Sequence, residues 1–149
     1  MILQWVQHEK KEFLDHHRSI INILIHIVCG IVYMSGLLLL VSRVFCRPSS
    51  TSCVLWWIIF YATLCMFLFP ESWLMMIVMI VLLHYTTSYP FFSSMSSRNL
   101  FLLSFVFYML PDIGHFLSKE AIIVSIHNVI SNIFFLLPLS LQCIVSVSN

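Results

Sequence analysis

The sequence predicts an all-α, multi-pass transmembrane helical bundle of about five spans, with four as the lower count. Two observations carry that expectation. Of the 149 residues, 60% are hydrophobic and only 9% charged, whereas a water-soluble domain carries about 25% charged residues. The charges are also spaced so that long runs between them contain none, as membrane-spanning helices require. The net charge of +1 is silent on nucleic acid, but the long Lys/Arg runs of a nucleic-acid binder are absent, so no nucleic-acid partner is expected.

Charged residues and prolines divide the single domain. Residues 1–18 form an amphipathic polar leader whose mixed charges and short apolar run do not make a secretory signal. The first span, Ser19 to Ser42, is free of charge between Arg18 and Arg43 and allows about 36 Å of helix. The loop "RVFCRPSSTS" leads to a second span, Cys53 to Phe69, which "PES" ends and joins to the third in a tight hairpin. A third span covers Trp73 to Tyr89. After the polar loop "SYPFFSSMSSRN", a fourth covers Leu100 to Leu117, where Pro111 should break or kink the helix and push Leu110 out of helical conformation. Lys119 and Glu120 mark a turn, and the charge-free residues 121–147 make a fifth span. Lys10, Lys11, Arg18 and Lys119 on one side against Arg43, Arg47 and Arg98 on the other lean towards a cytosolic amino terminus.

Five cysteines (Cys29, Cys46, Cys53, Cys65, Cys143) form no CxxC pair and no legible disulfide framework, although Cys46 and Cys53 could pair across a loop. The histidines are more informative. By span parity, His26 lies about 12 Å into the bilayer, His115 about 6 Å and His127 about 10 Å, all from the side that holds His17. Four of the seven histidines therefore reach one depth.

His17 and His26 are nine residues apart and would face opposite ways on one straight helix. They converge only if the helix starts after His17, with Ser19 as N-cap, leaving His17 on an arm that folds over the bundle mouth. Asn22 and His26 share a face. Asp112 and His115, three apart, share one beyond the kink, and an aspartate within an apolar segment is costly and usually functional or paired. His127 lies one turn before Ser131 in a polar stripe, where interhelical hydrogen bonding is the simpler role. His84 reads as an interfacial residue and His16 as a solvated one.

The motif "HRSIINILIH", His-x4-Asn-x3-His, resembles the first signature of the Mpo-like family, and "IGHFLSKE" resembles its second. These are small multi-pass membrane proteins related to a fungal dioxygenase of fatty acid α-oxidation. The resemblance implies an Fe(II)-dependent dioxygenase of the endoplasmic reticulum that shortens a 2-hydroxy fatty acid by one carbon, using oxygen. It implies His17, His26 and His115 as iron ligands and Asn22 as a hydrogen-bonder behind them. Glu120 stands near the position of the family's acidic residue and His127 nearby, both as outer residues of the site. The chain departs from the pattern at Ile20, where the family often has proline, and at Lys119, where it has the acid. Either Asp112 supplies the carboxylate or the site is degenerate. Imidazole and carboxylate ligands suit non-haem iron, and zinc equally suits imidazole. The competing expectation is a non-enzymatic membrane scaffold whose histidines only join helices.

Overall fold

The computed structural model describes residues 2–17, 19–46, 51–69, 73–118, 137–141 and 143. Among them the chain is helical and contains no strand. The elements run α1 (Ile2–His16), α2 (Ile20–Phe45), α3 (Thr51–Leu68), α4 (Trp73–Ser88), α5 (Pro90–Ser93), α6 (Ser97–Met109) and α7 (Pro111–Ser118). A buried helical piece at 137–141 packs through Leu137 on the middle of α2 at Gly30. Most of the expected fifth span, together with Glu120 and His127, lies outside the described residues.

α2 is the central element, touching α3, α4, α6 and α7. Its 26 residues measure about 39 Å. One face buries Asn22, Ile23, His26, Ile27, Gly30 and Met34, while Ile20, Ile21, Leu24 and Val28 stand exposed on the other. α2 and the α6–α7 rod, Ser97–Ser118, are the two helices among the described residues long and apolar enough to cross a membrane. α3 and α4 are apolar but shorter, at 18 and 16 residues, and pack on each other as the expected hairpin.

The helix boundaries follow local chemistry. Ser19 is extended and its carbonyl accepts the Ile23 N–H at 3.0 Å, so it caps α2 as expected, although its side chain makes no cap bond. Ser96 caps α6 through its hydroxyl, which accepts the Asn99 N–H at 3.2 Å. The helix breaks before Pro111 as expected, but the expectation for Leu110 needs correction. Leu110 keeps helical angles (φ −60°, ψ −31°) and its N–H still reaches the Val106 carbonyl. Pro111 then takes the first position of α7, where a missing N–H costs nothing, and the Ile113 N–H turns back to the Leu110 carbonyl at 2.9 Å.

α2 and α6 approach closely at Gly36, where a Cβ would run into Ser104 Oγ and stand 3.5 Å from the Leu100 carbonyl oxygen. Gly36→Val is therefore expected to push the two rods apart at a cost of about 1–3 kcal/mol. A thermal-aggregation curve in detergent should show the lower midpoint.

The end of α2 away from its first turn is fastened twice. Cys46 and Cys53 are joined by a disulfide across a Cα–Cα distance of 6.5 Å. The Arg43 guanidinium donates to the Ser93 carbonyl at 3.0 Å and to Ser97 Oγ at 3.4 Å, linking α2 to the turn between α5 and α6.

Candidate metal centre

His17, His26 and His115 come together at the start of α2. All three are buried, and one ligand nitrogen from each lies within 4.8 Å of the others. Their ring centroids are 4.5, 4.6 and 5.1 Å apart. Three separate pieces of chain deliver them: the break between α1 and α2, the second turn of α2, and α7.

The break at residues 17–19 is what lets His17 and His26 meet. His17 stands outside both helices, and its Nδ1 donates to the Phe13 carbonyl at 2.7 Å. That carbonyl belongs to the last turn of α1, where helix carbonyls lack an internal partner. The Phe13 ring stacks on the His17 imidazole at 3.7 Å with an interplanar angle of 10°. His26 turns its Nδ1 back to the Asn22 carbonyl at 2.9 Å.

These two bonds fix the chemistry of the opposite edges. A neutral imidazole carries one N–H, so donation from Nδ1 leaves a bare lone pair on Nε2. His17 Nε2 and His26 Nε2 are 3.1 Å apart. Two lone pairs facing each other at that distance repel, and a positive centre between them is needed: a proton shared by the pair, or a cation. Two nitrogens each about 2.1 Å from one metal stand roughly 3.0–3.4 Å apart at ligand angles between 90° and 109°. The observed spacing falls in that window. The third nitrogen, within 4.8 Å, has to close by up to about 1.5 Å to complete a regular set.

His115 is placed by α7 lying directly on α2. A Cβ on Gly114 would collide with Asn22 Oδ1 and come to 3.3 Å from Asn22 Cγ and 3.5 Å from Ile25 Cγ2. Only glycine permits that approach. The fully buried Asn22 side chain then contacts the next residue, its Nδ2 lying 3.4 Å from His115 Nδ1. Asn22 thus touches two of the three histidines, one through its carbonyl and one through its amide. Gly114→Ala is expected to leave the helices intact and reduce metal retention severalfold, read as helical circular dichroism against metal content of the same sample.

Asp112 is not part of this cluster. Although three residues from His115, it is exposed in the first turn of α7 while His115 is turned into α2. There the carboxylate lies at the positive end of the helix dipole, a favourable site for an anion that needs no metal. His84 is likewise exposed and distant in sequence from the cluster. Sequence reasoning did not single out Phe13 or Gly114. Phe13 stands four residues before His17, the spacing of one helical turn, and that was the available signal. Gly114 belongs to the quoted "IGHFLSKE" signature, but nothing there showed that it seats α7 on α2.

The surroundings are apolar on the outside. Ile20, Ile21, Leu24 and Val28 of α2 and Ile113, Phe116 and Leu117 of α7 are exposed beside the buried imidazoles. No family model matches the chain, and neither does any curated protein or solved structure.

Proposed function

We propose that His17, His26 and His115 hold one divalent transition-metal ion, and that the chain is a multi-pass membrane oxygenase of the Mpo-like type, resident in the endoplasmic reticulum. The observation that carries this reading is the pair of Nε2 lone pairs 3.1 Å apart with both Nδ1 atoms already committed to carbonyls. The three-imidazole donor set suits ferrous iron and also zinc. Ferrous iron there would supply oxygen activation for removing one carbon from a 2-hydroxy fatty acid.

The chain's own residues serve that chemistry by position. The Phe13 and Asn22 carbonyls hold two imidazoles in the tautomer that presents Nε2. Phe13 covers one side of His17 and keeps water from it. The exposed apolar faces of α2 and α7 give an acyl chain a lipid-side path to a site near the headgroup layer, where an amphiphile has a wet head and a dry tail. α3 and α4 complete the membrane domain as a shorter hairpin.

The test is turnover. Protein purified in detergent and loaded anaerobically with ferrous iron should consume oxygen and yield the acid one carbon shorter from 2-hydroxypalmitate, but not from palmitate. Metal retained without turnover would keep the metal centre and remove the dioxygenase. A second reading has one observation in its favour: the His17–His26 contact is also a good imidazole–imidazolium hydrogen bond, in which case the histidines only join helices. Absence of bound metal in the intact chain would select it.

A further inference from the structure

From the position of the Cys46–Cys53 bridge we infer the orientation of the protein: the α2–α3 end faces an oxidising compartment, and the histidine cluster opens to the cytosolic side. The inference rests on α2 crossing the bilayer, as proposed above, and not on the identity of the metal or of the substrate.

His26 and Cys46 belong to one helix, the first in its second turn and the second at its C-cap. Twenty residues of rise separate them by about 30 Å, the thickness of a bilayer's hydrocarbon core. A helix that places one at the headgroup layer of one leaflet places the other at the opposite leaflet. The bridge and the cluster therefore face different compartments.

Closing the bridge removes two protons and two electrons from the Cys46 and Cys53 thiols. Dithiol–disulfide exchange delivers them to the disulfide of an oxidoreductase, which leaves as a dithiol. Cytosolic thiol pools keep such pairs reduced, whereas the lumen of the secretory pathway supplies the oxidant. The three remaining cysteines, Cys29, Cys65 and Cys143, are buried and unbridged.

Charge points the same way. At the bridge end stand Arg43, Arg47 and Arg98, against Lys10, Lys11, Arg18 and Lys119 at the sequence positions flanking the cluster end. The excess of basic residues lies on the cytosolic side.

Sealed microsomes carrying the full chain test this. After treatment with a membrane-impermeant phosphine, then denaturation and tagging with polyethylene-glycol maleimide, three thiols should be tagged. After permeant dithiothreitol, all five cysteines should be tagged. A Gln4→Cys variant, at an exposed position of α1, should react with an impermeant maleimide from outside the intact vesicles. Five tags without any reductant would overturn the inference. So would reduction of the bridge by the phosphine in sealed vesicles, or labelling of Gln4→Cys only after permeabilisation. Release of the chain by alkaline carbonate would overturn it by removing the membrane span. Metal content separates these failures from failure of the metal reading: a Cys46→Ser/Cys53→Ser double variant, altered about 30 Å from the cluster, should retain its metal.

Discussion

Chain carrying His26→Ala, and separately His115→Ala, is expected to purify with roughly no bound metal where the intact protein carries roughly one equivalent, because two imidazoles rarely retain an ion that a site built for three or four ligands holds. His26 lies 3.1 Å from His17 through Nε2 and 5.1 Å from His115 between ring centroids. Removing it also takes away the partner against which His17 is poised. Elemental analysis of the gel-filtration peak reads the result, and circular dichroism of the same fraction shows whether the helices survive. Acid should mimic the substitution: protons compete with the metal for the same lone pairs, so metal is released as pH falls.

Asn22→Leu is expected to lower metal affinity by about 10–100-fold, the usual effect of removing a hydrogen-bond partner that orients a ligating imidazole. Leucine approximates the volume and keeps the backbone carbonyl that holds His26, so the loss falls on His115. Rotating the Asn22 amide by 180° exchanges its nitrogen and oxygen. His115 Nδ1 could then donate to Oδ1, and all three rings would present Nε2 with Nδ1 bonded to an oxygen. Asn22→Asp offers an oxygen in either orientation and should restore affinity that Asn22→Leu loses. Competition with a chromogenic chelator distinguishes the two variants. Equal affinities would mean that Asn22 serves only to seat α7 on α2.

Why some of this was legible before any coordinates is a matter of period and charge. The first span could be drawn because nothing charged lies between Arg18 and Arg43, and α2 occupies that run. The need for a break between His17 and His26 followed from nine residues at 100° each, and Ser19 marked where it fell. The order of the apolar runs led His115 to be expected beside His17 and His26, and α7 does bring it to them. Sidedness around a short helix was harder. Asp112 and His115 are 300° apart in an eight-residue piece, and the 60° left over decides between the cluster and the exterior. Gly114 settles that choice by letting α7 lie on α2 with His115 turned inward, and no sequence period encodes a collision with a side chain 92 positions away. The break expected at Pro111 is there, between α6 and α7, but Leu110 stays helical because a proline at the first position of a new helical segment needs no N–H. The Cys46–Cys53 bridge required knowing that the end of α2 and the start of α3 lie side by side. Spacing alone leaves that open.

The direct test is X-ray absorption at the metal edge of the purified, metal-loaded chain. The account predicts about three nitrogen scatterers near 2.0–2.2 Å, with the outer-shell pattern of imidazole rings. A shell of oxygen alone, or a first shell without imidazole rings behind it, would contradict the three-histidine centre.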